Sequence, residues 1–86
     1  MNVIVFGATG SIGRLAVNAL LKGGHTVTAF ARNPEKLKIK NTKLIYSSGD
    51  VLNLVDVHEA IRGQDVVLIT LGSGMSRKVL SVQRAH

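Results

Sequence analysis

The sequence predicts an α/β fold, a parallel sheet in strand order 3-2-1-4 with helices on both of its faces. Short apolar, β-branched runs alternate along the chain with segments of helical periodicity, the pattern that builds a parallel sheet through right-handed crossovers. The first run, NVIVF at 2–6, passes directly into GATGSIG at 7–13, where three glycines stand three residues apart ahead of a helix-like segment. The run DVVLITLG at 65–72 has no polar alternation in its VVLI centre, as expected of a strand buried on both faces.

Each element follows from its residues. Residues 2–6 form a buried strand ended by Gly7. In SIGRLAVNALLKGG, Ile12, Leu15, Ala16, Ala19 and Leu20 fall on one helical face, with Arg14, Asn18 and Lys22 on the other. Gly23 and Gly24 stop that helix, and Lys22 suits the negative end of its dipole. HTVTAFA (25–31) is a second strand. Pro34 starts a short helix with Asn33 as its N-cap. TKLIYSS (42–48) is a third strand, and GDVLN is a loop. Asn53 caps a helix over Leu54–Arg62, with Asp56 in its first turn, Val57, Ala60 and Ile61 on one face, and Gly63 at its end. After the strand at 65–72, SRKVLSVQRAH is expected to begin another helix.

Size and composition bound what the chain can do. Its 86 residues allow a single small domain, and 45% hydrophobic with 19% charged residues reads as globular. Chains of this size bury only about 60–65% of their unfolded surface, so the core is thin. There is no cysteine, which excludes disulfides and thiolate metal sites and fits a reducing compartment. The start lacks a basic segment ahead of its apolar run, and no apolar stretch approaches the ~20 residues that cross a bilayer. A soluble, cytoplasmic chain with no membrane partner is expected. The net charge of +6 raises nucleic acid as a partner, but the basic residues are scattered. The densest group, Lys36 to Lys43, has no aromatic residue among its charges to stack on bases. It reads as a solvated face.

The glycines point to a bound phosphate. Gly7 lets the chain turn after the first strand, Gly10 lets a pyrophosphate approach the backbone, and Gly13 lets the helix pack closely. The helix N-terminus then offers free N–H groups and a positive dipole end. The flanking strand and helix supply the context that such a motif requires.

The spacing is G-x-x-G-x-x-G, and with it VFGATGSIGR resembles the start of atypical and extended short-chain dehydrogenase/reductases. GDVLNLVDVHEAIRGQDVVLITLGS resembles the corresponding stretch of the NAD(P)H-binding group that contains flavin reductase/biliverdin reductase B and the NmrA-like proteins. The resemblance implies a Rossmann-like fold and a dinucleotide partner. It implies cofactor contacts at Gly7, Thr9, Gly10, Ser11, Ile12 and Gly13. It also places Asp50, with the Val51 backbone, on the adenine edge.

The end of the second strand selects the dinucleotide. NAD binders place a carboxylate about 20 residues after the glycines, on the ribose 2′-hydroxyl. Here Ala31 is followed by Arg32 and Asn33, with no carboxylate before Glu35. A carboxylate would repel a 2′-phosphate, whereas Arg32 can grip one, and Arg14 could reach the same group. NADP(H) is therefore expected over NAD(H). Leu71, Gly72 and Ser73 end the fourth strand beside the switch point, where Gly72 would allow close approach to the nicotinamide-side ribose and phosphates.

No catalytic set is visible. The wider superfamily's Tyr-x-x-x-Lys is absent, since the only tyrosine, Tyr46, is followed four residues on by Asp50. His25, His58 and His86 have no metal-ligand spacing, and Ser47 and Ser48 have no neighbouring base. A full doubly wound nucleotide fold has about six strands. Four here imply residues 1–86 as the N-terminal part of a longer reductase, with the fourth strand left as an apolar edge. A second copy or another chain covering that edge is the alternative. The expected function is the NADP(H)-binding module of an NADPH-dependent oxidoreductase, passing hydride to a flavin-like or other small acceptor. A non-catalytic NADP sensor of NmrA type is the competing reading, and a basic nucleic-acid binder is a third, suggested by charge alone.

Overall fold

The computed structural model describes residues 1–70 and the backbone of residues 79–84. The elements run β1 (Asn2–Phe6), α1 (Ser11–Lys22), β2 (Thr26–Ala31), a 3-10 turn (Pro34–Leu37), β3 (Leu44–Ser48), α2 (Leu54–Ile61), β4 (Val66–Thr70) and β5 (Val79–Arg84). They form one sheet in the order β3-β2-β1-β4-β5. The first four strands are parallel, in the 3-2-1-4 order that the sequence predicts.

The register explains the core. Val3 pairs with Val27 on one side and Val66 on the other, so strand alternation sends matching residues to the same face. Val3, Val5, Val27 and Ala29 meet Val17 of α1 and Leu37 of the 3-10 turn on one face. Ile4, Phe6 and Phe30 meet Val57, Ala60 and Ile61 of α2 on the other. The Phe6 and Phe30 rings lie 4.8 Å apart at 58°, a tilted aromatic pair. The two faces are unequal. Ile4, Val5, Val17, Val27 and Leu37 are fully enclosed, each contributing about 1.5–3 kcal/mol of burial, whereas no residue of α2 is fully buried.

Helix α1 is rotated from the expected face. Gly13 and Val17 are its buried residues, Ala16, Leu20 and Leu21 pack partly, and Leu15 is 64% exposed. Gly13 dictates this rotation. A Cβ there would lie 2.0 Å from the Gly7 carbonyl oxygen, so the helix turns its bare residue toward the preceding loop. The stripe becomes 13, 17, 20, 21, still of helical period. Lys22 stands in the last turn as expected. The end is a Schellman motif: His25 N–H donates to Leu20, Gly24 N–H donates to Leu21, and Gly24 takes φ +86°.

Two further expectations are corrected. Asn33 does not cap through its side chain; its backbone carbonyl accepts from Lys36 N–H at 3.1 Å, closing a 3-10 turn behind Pro34. Residues 79–84 form no helix. They are strand β5, antiparallel to β4, with Leu68 opposite Val82 and Val66 opposite Arg84. The intervening residues 71–78 are too few for the dozen or so that a parallel crossover needs, and the valines at 79 and 82 suit a strand. The β4 edge, expected to be bare, is thus paired by the same chain.

Candidate functional site

The site begins at the turn between β1 and α1. Gly7 has φ +76°, and a Cβ on it would lie 2.7 Å from both the carbonyl and the hydroxyl oxygen of Thr70. Gly10 N–H donates to the Gly7 carbonyl at 3.1 Å, and Gly10 then stands at the N-cap of α1 with no side-chain cap. The first intrahelical bond is Arg14 N–H to the Gly10 carbonyl, at 2.9 Å. The N–H groups of Ser11, Ile12 and Gly13 therefore precede the helical ladder, at the positive end of the dipole.

A cleft of about 410 Å³ opens beside this turn, along the carboxyl ends of β1, β2 and β3. It is lined by Gly7 and Thr9 from the turn, Phe30 to Asn33 at the end of β2, Lys36, and Gly49 and Val51 after β3. This is where open parallel sheets take ligands. Gly49 keeps the floor tight, since a Cβ there would lie 2.7 Å from the Phe30 ring. Ser48 Oγ donates to the Arg32 carbonyl at 2.9 Å and Gly49 N–H donates to Ala31 at 3.1 Å, so the β2 and β3 ends are laced together.

Of the residues predicted from sequence, Gly7, Thr9, Arg32 and Val51 line the cleft. Gly10, Ser11, Ile12 and Gly13 form the adjoining helix start. Asp50 stands at the rim, its carboxylate 3.9 Å from the Arg32 guanidinium and accepting from Leu52 N–H at 2.9 Å. With both side chains substantially solvated, that ion pair is weak. Asp50 N–H donates to the Asp56 carboxylate at 3.0 Å, which ties the loop to α2. Arg14 is not among the lining residues of the cleft; its guanidinium donates to the Leu37 carbonyl at 2.8 Å and to the carbonyl of Lys36, a cleft residue, at 3.3 Å. Leu71, Gly72 and Ser73 lie outside the described residues.

Sequence reasoning missed Lys36 and Asn33 as cleft residues. The signal was available: Pro34 opens a tight turn, and residues three apart in such a turn eclipse one another. Tyr46 is structural, its hydroxyl donating to the Ile39 carbonyl at 3.0 Å and accepting from Ile39 N–H at 3.2 Å. Among the described residues no cluster of His, Cys, Asp and Glu could hold a metal. No helix among them is long and apolar enough to cross a membrane.

A family model described as NAD(P)H-binding matches residues 7–85. The 40 kDa subunit of mitochondrial NADH-ubiquinone oxidoreductase from Neurospora crassa is 34% identical over 87 residues, covering 95% of this chain and 23% of that protein. The isoflavone reductase homolog A622 of Nicotiana tabacum is 35% identical over 79 residues, covering 81% of this chain and 26% of its own length. A Rossmann-fold NAD(P)-binding family protein from Shigella flexneri superimposes with a TM-score of 0.72 at 38% identity, over 85% of this chain and 38% of that one. The chain spans about a quarter of the length of these curated relatives.

Proposed function

The chain belongs to the NAD(P)H-binding family, and from that premise we propose that it is the NADP(H)-binding module of an NADPH-dependent oxidoreductase. The carrying observation is the lining of the cleft at the end of β2, where Arg32, Asn33 and Lys36 stand together and, among the described residues, no lining residue is a carboxylate, Asp50 standing at the rim beside Arg32. A carboxylate there would serve a ribose 2′-hydroxyl and repel a 2′-phosphate. Two cations favour the phosphate, Arg32 as a planar fork and Lys36 as a point charge.

The remaining assignments follow the geometry of the turn. The backbone from Gly7 through Thr9, Gly10, Ser11, Ile12 and Gly13 would hold the pyrophosphate, with free N–H groups at the start of α1. The close contacts that a Cβ at Gly7 or Gly13 would make support this reading, since they belong to a tightly closed turn. Val51 would flank the adenine and Asp50 would accept from its amino group. Gly72, with Leu71 and Ser73, would border the nicotinamide ribose.

When bound, the reduced nicotinamide supplies a hydride, and the protein's part is to position it against a flavin-like or other small acceptor. Direct transfer of that kind needs no acid–base tyrosine, which agrees with Tyr46 being tied to Ile39. That same engagement also suits a non-catalytic NADP sensor in the cytoplasm, the second reading.

Titration of the chain with NADPH and NADH at fixed salt tests the proposal. Saturable binding of NADPH, at least several-fold tighter than NADH, is expected. Equal affinities would reject the NADP(H) assignment, and no binding by folded, monodisperse protein would reject the module. Flavin reduction by the NADPH-loaded chain then separates reductase from sensor.

A further inference from the structure

Thr70 ends β4, a strand whose preceding residues are all apolar, and it is only 5% exposed. A hydroxyl in such a place needs a partner. Thr70 Oγ1 donates to the Phe6 carbonyl at 2.9 Å and stands 3.3 Å from the Gly7 carbonyl. The Gly7 carbonyl also accepts the Gly10 N–H that closes the glycine turn. From a third side, the bare Cα of Gly13 presses on the same group. The orientation of the Gly7 peptide governs where the following N–H groups point. Among the described residues, Thr70 is the one side chain that hydrogen-bonds to this peptide, and it comes from a strand 63 residues away in sequence.

We propose that Thr70 is a positioning residue for the phosphate turn. It touches no ligand; it holds the Phe6–Gly7 backbone so that the N–H groups of the turn and of α1 converge on a pyrophosphate. The inference rests on the reading of this turn as a dinucleotide site. It adds that the pyrophosphate contact, and not the 2′-phosphate contact at Arg32 and Lys36, depends on a hydroxyl in β4.

The test uses the full chain and two probes. One is 2′-phospho-ADP-ribose, which carries the pyrophosphate without nicotinamide; the other is 2′-AMP, which lacks it. Wild-type protein binding neither probe would overturn the dinucleotide reading and this inference with it. Given wild-type binding, Thr70→Val, which keeps the volume and removes the donor, is expected to weaken 2′-phospho-ADP-ribose about fivefold, the worth of one hydrogen bond. Binding of 2′-AMP should change by less than about twofold, and Thr70→Ser should restore the first probe. Should the valine variant melt below the assay temperature, Thr70→Cys gives the same ratio with a weaker donor. Equal weakening of both probes, or of neither, would overturn the role of Thr70 and leave the cofactor reading standing.

Discussion

The guanidinium of Arg14, in the first turn of α1, donates at 2.8 Å to the carbonyl of Leu37, at the end of the 3-10 turn. The last carbonyls of any helical turn lack partners, and a fork of N–H donors supplies two at once. The bond joins the helix that starts at the phosphate turn to the segment that carries Lys36. Arg14→Ala is expected to cost about 1–2 kcal/mol, because a charged donor is lost at a partly buried site. Arg14→Lys should cost less, keeping one bond. Urea denaturation measures both. If Arg14 serves the turn and not the ligand, Arg14→Ala should weaken NADPH only modestly, through a looser Lys36. A loss as large as that for Arg32→Ala would return Arg14 to the phosphate.

Gly13 is the tightest backbone contact in the site. A methyl group there would have to displace the Gly7 carbonyl, which the added Cβ would approach to 2.0 Å. The obstacle is backbone, and it cannot rotate away as a side chain could. Gly13→Ala is expected to cost about 3 kcal/mol or more, at the upper end for overpacking, despite alanine's better helix propensity. Thermal melts would detect it as a fall of several degrees or as a chain that does not fold. A neutral or stabilising effect would mean that α1 can slide outward, and the packing role of Gly13 would be lost.

How much of this was legible depended on whether the physics was local. The first four strands, both α-helices, the α1 stop at Gly23–Gly24 and the Asn53 cap were readable because periodicity and capping are written within a few residues. The rotation of α1 was not, since Leu15 and Ala19 fit the apolar period as well as Val17 does; a contact with the Gly7 carbonyl decided among them. Residues 79–84 pair as a strand because β4 offers an unpaired edge, a tertiary fact that VLSVQR alone does not express. Of the cleft's lining, Gly7 was readable from the glycine motif and Arg32 from its place at the end of β2, where no carboxylate precedes Glu35. Lys36 entered the cleft only through the 3-10 geometry that follows Pro34. Thr70 does not line the cleft; it reaches the start of the glycine turn through a bond to the Phe6 carbonyl that spans 64 residues.

Arg32 and Lys36 line one cleft from two segments, so their effects on a 2′-phosphate should be separable. Arg32→Ala and Lys36→Ala are each expected to weaken NADPH about five- to tenfold and to leave NADH within about twofold. Both preferences should shrink as salt rises, since the cations are solvated and screened over about 8 Å at physiological ionic strength. The double variant should lose the discrimination between the two cofactors. Parallel loss of NADH and NADPH affinity in the single variants would instead assign these residues to the shared adenosine portion.

Helix α2 is held by its cap and by one partly buried face, Val57, Ala60 and Ile61. Asn53 Oδ1 accepts from Val55 N–H at 3.0 Å and Asp56 N–H at 3.2 Å, while Leu54 and Val55 are largely exposed. The Asp56 carboxylate in turn accepts from Asp50 N–H, so the cap indirectly holds the rim of the cleft. Asn53→Ala is expected to cost about 1 kcal/mol, and Asn53→Asp nearly nothing. With no fully buried residue to retain it, α2 should respond locally. Hydrogen exchange at its amides should accelerate about fivefold, while the enclosed strands β1 and β2 change less. Uniform acceleration across the sheet would show that α2 unfolds only with the whole domain, and that the cap stabilises the fold and not this helix.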